Sequence, residues 1–219
     1  TLNTHVPAAH EALNLYYEKA FLRYGPNGKK YLLSADLPWI GLRTNQVDSD
    51  QVSLLTGIEN PVGVKLGAQT TKEHIISLAE KLNPENKIGK LVLMPRFGLG
   101  SIDILPDFLA DVRDHAPGSI ILYDLHGSTW TRKGVEDGVE KSVKIRYTGD
   151  IIKEIVALSA ACKSVGLKLH GVHLETTTDP ERLECVDNAN DLPTHEGGID
   201  PQLNPRQTQH ILSSIAHIL

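Results

Sequence analysis

Three side chains of the kind that hold divalent cations stand where the chain reverses direction. His126 ends the apolar run Ser119-Ile-Ile-Leu-Tyr-Asp-Leu-His126, which opens into Gly127-Ser-Thr129. Glu175 closes Gly166-Leu-Lys-Leu-His-Gly-Val-His-Leu-Glu175, and Asp200 falls in the turn Gly197-Gly-Ile-Asp-Pro-Gln-Leu-Asn204. Imidazole and carboxylate together suit a hard or borderline dication, which polarises a carbonyl or orients water. Three cations accompany them: Arg43 in Trp39-Ile-Gly-Leu-Arg-Thr44, Lys65 in Val62-Gly-Val-Lys-Leu-Gly67, and Arg96 in Pro95-Arg-Phe-Gly98. Each lies at or just beyond the end of an apolar run. An unpaired buried cation costs on the order of several kcal/mol. Three cations in one mouth therefore imply an anionic ligand, most simply a phosphate or carboxylate, for which Arg offers a bidentate fork.

Each residue alone has a plainer reading. A single Lys65 is a surface or snorkelling lysine, Arg43 and Arg96 are salt-bridge partners, and Trp39 is core. His126 is a hydrogen-bonded loop histidine, and Asp200-Pro201 starts a turn that caps the last helix. Their shared position at strand ends favours the joint reading. Among the other histidines, His173 alternates with Glu175 and so faces the same side of its strand, as a ligand or a partner of one. His170 has the opposite parity and reads as structural. His10 precedes Glu11 at an expected helix start and is a candidate supporting residue; His5 belongs to the same inventory.

The elements that must position these groups alternate. Helical spacing predicts helices over 8–22, 47–56, from a Thr70-Thr-Lys-Glu73 capping box to Asn83-Pro84, over 105–114, 150–165 and 205–218. Strand-like runs fall at 31–35, 61–67, 90–94, 119–123 and 166–174, and 127–149 reads as a polar loop. Nearly continuous apolar strands with helices between them indicate a parallel sheet covered on both faces, either doubly wound or a (β/α)₈ TIM barrel. Chemistry at successive strand ends favours the barrel. A full barrel takes about 250 residues and eight units. With 219 residues and five clear strands, the expectation is one α/β domain over 1–219, a TIM barrel incomplete in this chain.

Composition removes several classes. The net charge is −5 with Lys and Arg scattered, so no basic face for nucleic acid is expected. No apolar run approaches the roughly 20 residues of a membrane span, and no signal peptide is visible. Cys162 and Cys185 are too far apart to pair as metal ligands and favour a reducing, cytoplasmic setting. Cys162 lies in an apolar helical pattern and reads as core; Cys185 is harder to place. Thr1 is not an initiator methionine, so a preceding segment is expected.

In order and spacing, several segments together resemble the class II, plant and actinobacterial type, 3-deoxy-D-arabino-heptulosonate 7-phosphate (DAHP) synthases. Ala9-His-Glu-Ala-Leu-Asn-Leu-Tyr-Tyr-Glu-Lys-Ala20 is similar to that family's Ser-His-Glu segment. Ser34-Ala-Asp-Leu-Pro-Trp-Ile-Gly-Leu-Arg-Thr-Asn-Gln46 resembles its Ser-Ala-His…Trp-Ile-Gly-Glu-Arg-Thr-Arg-Gln segment. Asn60-Pro-Val-Gly-Val-Lys-Leu-Gly67, Leu82-Asn-Pro-Glu-Asn86, Gly171-Val-His-Leu-Glu175 and Asp200-Pro-Gln-Leu-Asn204 follow in turn. The resemblance implies a (β/α)₈ barrel and a divalent ion, manganese or cobalt foremost and magnesium as a further choice. It implies condensation of phosphoenolpyruvate with erythrose 4-phosphate at the entry to the shikimate pathway and aromatic amino acids. Carried over by position, His126, Glu175 and Asp200 ligate the metal. Trp39, Arg43, Lys65 and Arg96 bind substrate, and Lys65 and His126 serve catalysis.

The chain also departs from the family pattern. Leu42 stands where the family has Glu, Tyr123-Asp-Leu-His-Gly-Ser-Thr129 shortens a Cys-Asp-Pro-Met-His-Gly-Asn-Thr segment, and Pro95-Arg-Phe-Gly98 replaces Thr-Arg-Met-Gly. The family's first portion, with two barrel strands, a Cys ligand and a Lys-Pro-Arg-Ser segment for the sugar phosphate, has no counterpart here. Three readings follow. The first is a DAHP synthase whose missing strands come from an N-terminal portion, another chain or a cut polypeptide; its expected partners are a chain supplying those strands or further copies in a homo-oligomer. The second is a repurposed enzyme of specialised metabolism acting on another phosphorylated or diphosphate substrate, for example a prenyl diphosphate. The third is a non-catalytic partner subunit. None calls for nucleic acid or a membrane.

Overall fold

The computed structural model describes residues 7–136, 139–188 and 200–218. His5 and the 197–199 part of the turn before Asp200 lie outside the described residues. In chain order the elements begin with β1 (Ala9–Glu11), α1 (Leu15–Ala20), β2 (Leu22–Tyr24), β3 (Lys30–Leu32), β4 (Leu37–Ile40), α2 (Asp50–Leu55), β5 (Val62–Gly67) and α3 (Lys72–Leu82). There follow β6 (Leu91–Arg96), a 3-10 segment (Leu99–Ile104), α4 (Leu105–His115), β7 (Ile120–Asp124), β8 (Trp130–Glu136) and β9 (Val139–Tyr147). The chain continues through α5 (Thr148–Ser164), β10 (Gly171–His173), β11 (Cys185–Val186) and α6 (Pro205–Ile215). Six strands form a parallel half-barrel sheet in the order β1-β4-β5-β6-β7-β10, the α/β architecture expected of part of a TIM barrel. No helix among the described residues is long and apolar enough to cross a membrane.

Two compact units emerge. The first comprises Thr1–Pro95 and Asp107–Leu122. Its strands β4 and β5 pair in parallel, Trp39 opposite Gly63, and β6 pairs with β7, Val92 opposite Ile120. All six residues of β5 are buried, as a strand covered on both faces requires. Trp39, Val92 and Met94 form a core cluster joined by Leu37, Ile120 and Leu122. Gly63 is obligatory there, because a Cβ would lie 2.6 Å from Met94 Cε and 2.7 Å from Trp39 Cβ. The second unit comprises Arg96–Pro106 and Tyr123–Leu219. Its small sheet, β11-β9-β8, stands beside α5 and α6 in sequence, and α6 begins with a complete capping box. Asn204 accepts from Gln207 N at 2.9 Å, and Gln207 Oε1 accepts from Asn204 N at 3.2 Å.

Several expectations need correction. The helix expected over 8–22 is a strand followed by a six-residue helix, because residues 9–11 pair with 37–39 and Asn14 caps the helix only from Leu15. His10 therefore sits on a strand rather than at a helix start. The run 31–35 contributes β3 to a two-stranded antiparallel sheet with β2, and Trp39 lies inside β4 rather than after the first strand. The cap of α3 is Thr71, which accepts from His74 N at 3.3 Å, so a single side-chain cap at Thr71 stands in place of the expected Thr70–Glu73 box. The polar loop expected over 127–149 holds the antiparallel pair β8–β9, with Trp130 opposite Ile145 and Glu136 opposite Val139. In sequence, Val143, Ile145 and Tyr147 alternate with polar residues, a strand pattern that the high charge of the segment obscures. The strand expected over 166–174 shrinks to Gly171–His173, since Gly166, at φ +77, still belongs to the end of α5.

Candidate functional site

The end of β7 carries the centre of the site. Successive side chains alternate across the strand, and each of the four residues from Tyr123 to His126 is buried. Asp124 is fully buried, and its Oδ1 lies 3.0 Å from His126 Nδ1 and 3.4 Å from His173 Nδ1. Such a carboxylate fixes the ring orientation and directs His126 Nε2 outward. Nε2 then lies 3.1 Å from Glu175 Oε1 and 3.6 Å from Asp200 Oδ2. Glu175 follows β10 by two residues, and the Leu203 N–H donates to the Glu175 carbonyl at 2.9 Å. That bond draws the chain just after Asp200 alongside the chain just after β10.

With Nδ1 donating to Asp124, a neutral His126 turns a lone pair on two carboxylates. The arrangement therefore calls for positive charge at Nε2, either a proton or a metal ion. Donor–metal bonds of about 2.0–2.2 Å place neighbouring ligand atoms roughly 2.8–3.6 Å apart, which matches the two observed separations. The residues thus fit the donor chemistry of a divalent ion. Among the described residues no group of three or more His, Cys, Asp or Glu forms a ready-made ion cage; His126 Nε2 instead faces each of the two carboxylates.

Electrostatics favour an ionised Asp200. Burial pushes its carboxyl pKa up, but Arg146, followed by His126, Lys144 and Arg96, outweighs burial and holds it below the usual value. Arg146 is fully buried on β9, paired in register with Cys185 of β11. Its Nη2 lies 3.7 Å from Asp200 Oδ1, and Lys144 Nζ lies 3.6 Å from the same oxygen. Sequence reasoning missed both cations because they sit in the segment taken for a loop. It also missed Asp124, whose signal was available: a carboxylate two residues before His126.

A second buried carboxylate shapes the loop after His126. Glu154 of α5 accepts from Tyr123 Oη and from Ser128 N, each at 2.7 Å. Burial raises its pKa, opposed by those hydrogen bonds. A Cβ at Gly127 would stand 2.2 Å from Glu154 Oε2, so only glycine passes beside this carboxylate. Leu99 N donates to Ser128 Oγ at 2.9 Å, and Arg96 Nε donates to the His126 carbonyl at 2.6 Å. Arg96 therefore meets the His126 backbone and is partly engaged in holding the loop.

The other expected substrate residues belong to the first unit. Lys65 is buried with its Nζ 4.1 Å from the centre of the Trp39 ring, a cation–π contact. Asn45 Nδ2 donates to the Lys65 carbonyl at 2.8 Å and steadies that stretch of β5. Arg43 lies in an exposed turn after β4. His10 Nε2 contacts buried Glu18 at 2.9 Å, and His170 is exposed. Cys162 and Cys185 are free and buried, and burial pushes their thiols up to about 11 and about 12. Thiols so protonated are inert as nucleophiles.

Residues 2–216 match the class-II DAHP synthetase family. A phospho-2-dehydro-3-deoxyheptonate aldolase of Streptomyces coelicolor is 31% identical over 222 residues, covering 96% of this chain and 47% of the relative. A probable phospho-2-dehydro-3-deoxyheptonate aldolase of Pseudomonas fluorescens is 36% identical over 205 residues, covering 91% and 49%. The chain thus spans about half the length of the curated relatives it matches. Among solved structures, a truncated form of 3-deoxy-D-arabino-heptulosonate 7-phosphate synthase from Thermotoga maritima superposes with a TM-score of 0.56 at 19% identity. That match covers 97% of this chain and 65% of the other and speaks for the fold.

Proposed function

Given that the chain belongs to the class-II DAHP synthetase family, we propose that it carries out a metal-dependent aldol-type condensation of phosphoenolpyruvate with an aldose phosphate, erythrose 4-phosphate in the family. The observation that carries this reading is the approach of Glu175 Oε1 and Asp200 Oδ2 to His126 Nε2, at 3.1 and 3.6 Å. These three residues hold the ion, manganese or cobalt by donor type. Once bound, it supplies Lewis acidity toward an aldehyde oxygen or a water. Asp124 keeps His126 in the required tautomer. The family resemblance assigns Arg43, Lys65 and Arg96 to the phosphate and carboxylate of phosphoenolpyruvate; within the first unit Trp39 steadies the Lys65 ammonium, whose charge suits a developing anion.

The test is phosphoenolpyruvate consumption and phosphate release by the purified chain with Mn²⁺, with and without erythrose 4-phosphate. Consumption that needs both substrates and the ion, and that is lost in His126→Ala, is the expected result. Mn²⁺ binding without turnover of this pair removes the condensation. A second reading, a different phosphorylated or diphosphate substrate, draws on one observation. Leu42 replaces the family's Glu, and its side chain packs 3.3 Å from where a Gly67 Cβ would lie, so this spot is apolar. Turnover of a prenyl diphosphate in place of erythrose 4-phosphate distinguishes it.

A further inference from the structure

Arg146 is the least explained charge in the second unit. It is fully buried, and the Nη1 donates to the Pro201 carbonyl at 3.0 Å. Its Nε and Nη2 are buried and have no hydrogen-bond acceptor among the described residues. Burying an N–H without an acceptor is costly, and more so on a charged group. Among the described residues the carboxylate within 4 Å is that of Asp200, whose Oδ1 lies 3.7 Å from Nη2. A displacement of under about 1 Å makes that a charge-assisted hydrogen bond.

The two oxygens of Asp200 divide their neighbours. Oδ1 faces Arg146 and Lys144, at 3.7 and 3.6 Å, and Oδ2 faces His126 Nε2 at 3.6 Å. One guanidinium thus grips the carbonyl of residue 201 and faces the carboxylate of residue 200. Two points on adjacent residues fix an orientation, which a single point does not. The base of the grip is itself fixed, since Arg146 is paired with Cys185 on the central strand of the small sheet. Lys144 is exposed, and its ammonium is a single point of charge that sets no direction.

We propose that Arg146 is a positioning residue: it turns Oδ1 of Asp200 toward itself and so presents Oδ2 to the ion held by His126. This rests on the reading of His126, Glu175 and Asp200 as metal ligands. A planar fork reaches the carbonyl and the carboxylate together, whereas a lysine ammonium at the same place is a single point of charge. Partners of metal ligands typically contribute about 10–100-fold in affinity.

Calorimetric titration of Mn²⁺ into wild type, Arg146→Lys, Asp200→Asn and the double variant tests the idea. Arg146→Lys keeps the charge, so its effect reports orientation. The expected outcome is an affinity loss of about 10–100-fold in Arg146→Lys and no further loss when the substitution is added to Asp200→Asn. Wild-type affinity in Arg146→Lys overturns the proposal, and so does an equal fold loss in both backgrounds, which marks a general structural role. Should Arg146→Lys fail to fold, the wild-type protein supplies the second arm. With Zn²⁺ as a diamagnetic probe, the Arg146 Nε–H resonance should move on ion binding in wild type and stay put in Asp200→Asn. An unmoved wild-type resonance overturns the proposal. If wild type binds neither ion, the metal reading falls and takes this inference with it. Binding that His126→Ala abolishes but Arg146→Lys leaves intact removes this inference alone.

Discussion

Replacing Gly127 by Ala tests how tightly the loop after His126 is held. The added Cβ stands 2.2 Å from Glu154 Oε2, 2.6 Å from its Cδ and 2.8 Å from Oε1. Ordinary contact begins near about 3.5 Å, so one partner must retreat by over about 1 Å. Glu154 is not a loose end, because Tyr123 Oη and Ser128 N each donate to it at 2.7 Å. Overpacking costs about 1–3 kcal/mol, and a hydrogen bond to a charged group contributes about 1.5–3 kcal/mol. Relief by sacrificing one of the two bonds puts the expected loss at about 1.5–3 kcal/mol, the worth of that bond. Urea unfolding with an unchanged slope measures it. The loss should shrink in the Glu154→Ala background, where the obstructing carboxylate is gone. A cost below about 0.5 kcal/mol, the range of an ordinary surface substitution, would refute the reasoning, as would strict additivity of the two changes.

Other consequences are measurable in the same preparations. Asp124→Asn keeps the shape and removes the charged acceptor of His126, so Mn²⁺ affinity should fall by about 10–100-fold; unchanged affinity in calorimetry counts against the orienting role. Burial raises the Glu154 pKa in the folded state, so its contribution is complete below the unfolded value and is lost as pH rises through the folded one. The unfolding free energy of wild type relative to Glu154→Gln should therefore decline as pH rises above about 4.3, and a rise in that window contradicts the assignment. Asn204→Ala removes the cap of α6 and should cost about 1–2 kcal/mol in urea unfolding. Lys65→Met should weaken phosphoenolpyruvate binding at least tenfold while unfolding stability moves by under about 1 kcal/mol, the worth of a modest cation–π contact; equilibrium dialysis and urea titration read the two.

The sequence made the strand-end chemistry legible and concealed its support. His126, Glu175 and Asp200 stand out as candidates because apolar runs ending in polar groups leave a period and a break. The parallel sheet was legible for the same reason, with β5 and β6 falling near their expected places. Residues 8–22 were misread because helical spacing over a short stretch competes with strand pairing, and the pairing of β1 with β4 depends on residues nearly thirty positions away. The β8–β9 pair was hidden by charge, so Lys144 and Arg146 escaped notice. Asp124 and Glu154 lie inside apolar periodicity, where a carboxylate reads as an exception. Only the partners reveal their purpose, and those come from distant parts of the chain.

The end of β7 serves two buried acids at once. Tyr123 reaches Glu154, while the next residue, Asp124, meets His126 and His173. A slip of the strand by one position would exchange these roles, giving His173 a phenol and the helix carboxylate a second negative charge. The neighbouring acids thus act as a register lock: any misaligned pairing is penalised on both sides together. Proofreading of strand alignment and preparation of the ion-binding histidine are consequently written into the same two adjacent residues, and a lineage that changes one of them must also find a new way to keep the strand in step.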